Sequence, residues 1–590
     1  MTNAALRGKP DAGNPHVRFD EGEVASAATP RRGSLLYNTA TRVKKCLTVI
    51  GAVGFAFVVL PHAAWSSDIV FDDGSSHEYA ASGEHVDRLS LSNGSQMTLT
   101  SGDLYVDAPS SAAVFSGASM LTVASTARLF VTNKATSAQS FWVKGNSKIV
   151  VDGGRVRAPT LGVSGVNGAT YIGGAVDVLN GGQFVVDAAG VGGNAACCIS
   201  SGSLLVDNGS LFSLTNGNNH NYALAIGGNG SRIAVTNSTI TYYRCWFGGN
   251  GQGQLSCSGA QFLVHNSTAK ALVGQGDSYN RPLVFFSGNY NCNDNLFRVT
   301  GSMSSVNLSF STEGGNTQGN IVELNDGSMT GSVRLTGGQN NKYVQNSGTH
   351  TSIADVMIGG KSNALEVLGG TFGSSNGSDK LTFQAGANGC RAVFADCTAY
   401  FDVYASNAPL TFGARAKDCS FTVQNATVSL KGCTALGNCC TNCVIAFKGS
   451  TPKITLGNWG TVSSGYSMSL GSSSSELDGY TVALEFSLPA EPYARAPLYG
   501  NASRPVKLHP NTRIVVKQGD WTIGKDKKKT FYPLIYDTNS FNGEMTQELA
   551  ASLNAHATLP EGASLEYNSS AKTLGLRVPH KSPGMTLFVR

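Results

Sequence analysis

Charge is scarce in this 590-residue chain: Asp, Glu, Lys and Arg together make up 14% of it, and aromatic residues only 8%. The excess of 43 Lys and Arg over 38 Asp and Glu is concentrated at one end, because the first 66 residues hold eight basic and four acidic side chains and the rest 35 against 34. No basic face remains for a nucleic-acid partner. The ten histidines are scattered, so no nucleophile, histidine and acid grouping stands out. A helical stripe is also missing over most of the chain, which excludes a helix bundle.

What is present is repetition, with 71 glycines to punctuate it. A short alternating apolar strand, followed two residues later by Gly, Asn, Asp or Ala, recurs with anchors at Val106, Val131, Val151, Val186, Val206, Val235, Val264, Val299, Leu324, Val344, Val367, Phe394, Val423 and Phe447. Steps of 20 to 35 residues with period-2 alternation are the signature of one coil of a β-solenoid. The residues after the anchors are mostly types that tolerate a left-handed backbone, as a sharp turn off a strand demands. Asn208, Asn237 and Asn266 keep the 29-residue spacing of their anchors. In-register coils would stack them about 4.8 Å apart, within reach of side-chain hydrogen bonds.

A second column stands four residues before the anchors, at Cys390, Cys419 and Cys443. Small buried thiols explain it, since unpaired cysteine packs as a small apolar group. The stacking distance also falls within disulfide range. A zinc site is disfavoured: Cys433, Cys439, Cys440 and Cys443 lack paired C-x2-C spacing, and no histidine is nearby. No metal and no cofactor is expected.

Residues 1–66 read as a leader. Lys44 and Lys45 flank the apolar run Cys46 to Leu60, Pro61 closes it, and Ala64-Trp65-Ser66 offers a small-x-small cleavage site. This predicts export and a mature start near Ser67. The 15-residue run is short of the roughly 20 that span a bilayer, so contact with a membrane would come only through an uncleaved segment 46–60, as an inner-membrane anchor. Residues 67–504 are assigned to the solenoid. From 505 to 590 the pattern changes to strands near Arg513 to Val516 and Phe531 to Tyr536, a helix near Glu544 to Asn554, a hairpin over Leu565 to Val578 and a last strand at Met585 to Val589, a small α+β cap.

The coil length, phrases such as Leu204-Leu205-Val206-Asp207-Asn208 and the stacked asparagines resemble right-handed parallel β-helices of the pectin-lyase-like superfamily and autotransporter-type bacterial surface proteins. The resemblance implies an all-β parallel β-helix and leaves enzyme and adhesin both open. Polygalacturonase-like members carry N-T-D, D-D, G-H-G and R-x-K phrases; none of N-T-D, G-H-G or R-x-K is expected in the coils, and the one Asp-Asp pair, Asp72-Asp73, precedes them. After residue 504 too little chain follows for an autotransporter's membrane barrel. One local cluster, Tyr242-Tyr243-Arg244-Cys245-Trp246-Phe247, offers ligand chemistry: on an unbroken strand Tyr242, Arg244 and Trp246 share one face, a platform for a sugar if that face is outward. The expected function is therefore an exported, secreted or cell-surface, structural or adhesin-like protein without catalytic residues, with a glycan or cell-surface ligand as partner. The alternative is a polysaccharide-active lyase or hydrolase.

Overall fold

The computed structural model describes residues 68–578, apart from loop segments of which the longer are 108–112, 133–140, 160–169, 188–196, 216–222, 249–255, 273–282, 433–439, 458–465, 472–480 and 518–529. The leader, the run Lys525 to Lys529 and the strand expected at Met585 to Val589 lie outside the described residues. Among the described residues no helix is long and apolar enough to cross a membrane.

Each coil contributes up to three short strands. In one coil they are Ser203–Asp207, Leu211–Thr215 and Ala223–Asn229; in the next, Arg232–Thr236, Thr239–Tyr242 and Arg244–Phe247. Ser203 to Asp207 pair with Arg232 to Thr236 in parallel and without slip. The next two coils continue the register through Gln261 and Leu296. Alternation explains the packing: Leu204, Val206, Phe212 and Leu214 point inward and are buried, while Ser203, Leu205 and Asp207 remain partly exposed. Burying each such Val, Leu or Phe contributes about 1.5–3 kcal/mol, and every coil repeats the contribution. The chain is thus an all-β parallel β-solenoid, as the repeat implied.

The anchors, however, belong to two strand columns. Val151, Val206, Val235, Val264, Val299 and Leu324 stack on the first strand of successive coils, with Val178 between Val151 and Val206. Val106, Val131 and Val186 lie on the second strand, joined through Ala158. Leu324 is followed in its column by Gln345, not Val344.

The turn chemistry is as expected. Asn208, Asn237, Asn266, Asp396 and Asn425 have φ between 44° and 55°, and the first three occupy adjacent coils. Their side chains do not form the expected hydrogen-bonded stack. Asn208 donates to Asn180 Oδ1 one coil back at 2.6 Å, and Asn180 donates to Asp152 at 2.6 Å. Asn237 is exposed. Its value is conformational, so Asn237→Val should cost about 1–2 kcal/mol through left-handed strain, while Asn237→Gly should leave the urea midpoint nearly unchanged. Equal losses in both variants would point to the side chain instead.

The coil pattern extends beyond residue 504, where the sequence placed the cap boundary. Ile514–Lys517 and Thr530–Asp537 still pair in parallel with the preceding coil. Among the described residues, antiparallel pairing appears only where Thr573–Val578 meets Thr530–Asp537 and Ser564–Asn568. The helix Gln547–His556 begins at Thr546, whose side chain accepts from Leu549 N, and it buries Leu553. An antiparallel hairpin ends a parallel stack because its strands run against the coil direction, leaving no in-register edge for another coil.

Candidate functional site

A column of buried residues runs along the corner before the first strand. Register places Ser95, Ser119, Ser147, Gly174, Gly202, Ser231, Ala260, Asn295, Asn320, Asn341, Asn363, Cys390, Cys419 and Cys443 one above another. Asn295 Nδ2 donates to Asn320 Oδ1 at 2.8 Å, and Asn320 Nδ2 to Asn341 Oδ1 at 2.9 Å. The backbone N–H groups of Asn295, Asn320 and Asn341 donate to the next asparagine's Oδ1. The cysteines extend this bonding, as Cys390, Cys419 and Cys443 donate to the carbonyls of Gly359, Ala387 and Ala416 on the coil before, at 3.3, 3.5 and 3.6 Å. The thiol ladder read from sequence is therefore the tail of a longer polar column that satisfies corner carbonyls. All three thiols are free and buried. Cys433 and Cys439 lie outside the described residues, and among those described no cluster of metal-binding side chains forms.

The expected aromatic platform is overturned. The chain turns at Tyr243, between the strands Thr239–Tyr242 and Arg244–Phe247, so the alternation restarts. Ile240, Tyr242, Cys245 and Phe247 all face the core, Tyr242 at 0% exposure and Trp246 at 7%. Tyr242 packs edge-on against Phe262, and burial pushes its hydroxyl well above the usual phenol range. Arg244 is only partly exposed. Tyr242 and Trp246 therefore offer no stacking surface to a sugar.

An open groove does exist, farther along the solenoid. It has a volume of about 340 Å³, and its polar walls include Asp418, Asn442, Glu485, Arg513 and Lys517. Its floor is made of small residues, because Ser420, Val444 and Ala483 stack in register on the outer face of three coils. Asp418 and Asn442 sit at successive corners with φ of 53° and 54°, and Asn442 Nδ2 donates to Asp418 Oδ1 at 2.7 Å. On the opposite side Lys517 pairs with Glu485 at 2.7 Å. This pair matches the use of charge elsewhere, where Arg128–Asp103 and Arg298–Glu323 join adjacent coils at 2.6 Å each. Arg513 differs: among the described residues its guanidinium has no ion-pair partner. Two carboxylates, two cations, an amide and a hydroxyl make a charge-balanced, hydrogen-bonding channel.

A second pair of carboxylates is hidden from a linear reading. Asp379 and Asp402 lie on neighbouring coils, and both are buried. Burial raises both carboxyls above their ordinary range, and the Asp379 charge adds to the rise at Asp402. Asp379 accepts from the N–H groups of Ala354 at 2.7 Å and Ser374 at 3.0 Å; Asp402 pairs with Lys431 at 2.8 Å. Saturated by these partners, they fasten loops to the solenoid and face no open space.

Contrary to expectation, the R-x-K phrase of the polygalacturonase-like enzymes does occur in the coils, as Arg415-Ala416-Lys417, with Arg415 and Lys417 exposed at the corner that leads into Asp418. Compared with known proteins, the chain matches no family model, no curated protein and no solved structure.

Proposed function

We propose that this protein is an exported or cell-surface structural rod of adhesin-like type, and that it holds a glycan in the groove between Asp418, Asn442, Glu485 and Arg513. The groove carries this reading. It is open, balanced in charge and rich in hydrogen-bonding groups held on successive coils, which suits a hydroxyl-rich chain lying across them. Export rests on the basic flank and apolar run before residue 66. Binding by a single groove of this kind is weak, and repetition on a surface would strengthen it. Screening the purified protein against a glycan panel for binding and for cleavage tests the proposal. Arg513→Ala combined with Glu485→Gln should weaken binding about tenfold or more, because each removes a charge-assisted hydrogen bond, while the circular dichroism spectrum stays unchanged. Unaltered binding would remove the groove from consideration.

A second reading, a polysaccharide-active enzyme, draws on Arg415-Ala416-Lys417 beside Asp418 and Glu485. Paired carboxylates with adjacent cations are the groups that glycoside cleavage uses. It predicts turnover that disappears in Asp418→Asn or Glu485→Gln with binding retained.

A further inference from the structure

We propose that Cys419 and Cys443 form a disulfide, a covalent staple between two adjacent coils beneath the groove. Register makes them direct neighbours, since Ser420 pairs with Val444. In-register residues on adjacent coils lie about 4.8 Å apart, inside the roughly 4.4–6.8 Å that a disulfide spans. Both side chains leave the backbone in the same direction, Cys419 Sγ toward Ala387 O and Cys443 Sγ toward Ala416 O, so no other residue stands between them in the column. Both line the groove, whereas Cys390 one coil back does not. The inference stands whether or not the groove binds a glycan.

The chemistry is thiol–disulfide exchange with a low-molecular-weight disulfide as oxidant. The Cys419 thiolate attacks one sulfur of that disulfide, forming a mixed disulfide and releasing one thiolate. The Cys443 thiolate then attacks Cys419 Sγ, forming the protein disulfide and releasing the second thiolate. The two thiol protons end on the two released thiols, so two protein sulfurs are oxidised and the two sulfurs of the small disulfide reduced. In the closed rod the neighbouring thiols of the column and burial together push Cys419 up to about 11 and Cys443 up to about 12. Both remain protonated at neutral pH in the closed rod. Exchange therefore belongs to folding, while the corner is still open.

The test refolds the full chain from denaturant with reduced and oxidised glutathione, blocks residual thiols with iodoacetamide and maps tryptic peptides. Fragment ions must separate Cys443 from Cys433, Cys439 and Cys440. A Cys419–Cys443 link in the soluble refolded protein is expected. Cys390→Ser should retain it and Cys443→Ser should lose it, and adding reductant should lower the Tm of the wild type but not of Cys443→Ser. Full alkylation of Cys419 and Cys443, or a link from Cys419 to Cys390, would overturn the proposal; this readout on the wild type holds even if a variant fails to fold.

Discussion

Asn320→Leu should destabilise the rod by about 3–5 kcal/mol, because it leaves several buried polar groups unpaired at about 1–3 kcal/mol each. The Asn320 side chain accepts from the backbone and side chain of Asn295, at 3.2 and 2.8 Å, and donates to Cys292 O at 2.8 Å and Asn341 Oδ1 at 2.9 Å. It is 1% exposed, so water cannot replace these partners. Asn295 Nδ2 retains Cys257 O at 3.2 Å, but the Asn295 backbone N–H has no such substitute in the column. Chemical denaturation at neutral pH measures the effect. A loss below 1 kcal/mol would mean that the asparagine column merely fills space.

Acid should remove about 3 kcal/mol of stability through one residue, His350. Its ring is wholly buried, with Nε2 at 2.8 Å from Gly331 O and Nδ1 at 2.8 Å from the Tyr343 hydroxyl. A carbonyl only accepts, so Nε2 carries the proton and Nδ1 accepts from Tyr343. Burial pushes the ring down from 6.5 to about 4. Because the folded value is the lower one, the unfolded chain takes up the proton first. The contribution is complete above pH 6.5 and is lost as pH falls toward 4. The buried carboxylates Asp379 and Asp402 act with the opposite sign, their raised values favouring the folded state as they protonate. Subtracting the pH profile of His350→Gln isolates the histidine. A difference curve that is flat between pH 7 and 4 would show that His350 takes up its proton equally in both states.

The repeat was legible because it is carried by alternation and by turn residues, both of which act locally. The column before each first strand was legible only where one residue type recurs. Cys390, Cys419 and Cys443 are recognisably alike, but Asn295, Asn320 and Asn363 stand at the same offset from their anchors and perform the same hydrogen bonding with a different side chain. Gln345 displaced the reading by one residue at the coil between them. It occupies an inward position because its amide is satisfied by the carbonyls of Gly348, Gly369 and Thr371, so a search for apolar anchors settles on Val344, which faces outward. That shift sets the exposed Asn340 at the offset that the buried Asn341 occupies.

The site was less legible because it is assembled across coils. Asp418 and Glu485 are far apart in the chain and share a groove only through stacking, as Asp379 and Asp402 share an interior corner. The aromatic cluster misled for the opposite reason. Its residues are contiguous, but the corner at Tyr243 carries neither glycine nor proline to mark it, and the turn lets Tyr242 face inward on one strand and Cys245 and Phe247 on the next. Few charges in the composition still left enough for one groove, beside pairs such as Arg128–Asp103 and Arg298–Glu323 that join neighbouring coils.

The continuous register is the central claim, and a distance along the stack tests it most directly. Arg232 and Arg391 lie in one column, linked through Gln261, Leu296, Ile321, Lys342 and Ala364. Six steps of about 4.8 Å place their backbones about 29 Å apart. Spin labels introduced at these two positions as unnatural amino acids, which avoids the buried thiols, should give a narrow pulsed-EPR distribution centred near that value, allowing for the label arms. A broad distribution, or a mean beyond about 45 Å, would show that the coils between them do not stack in one register.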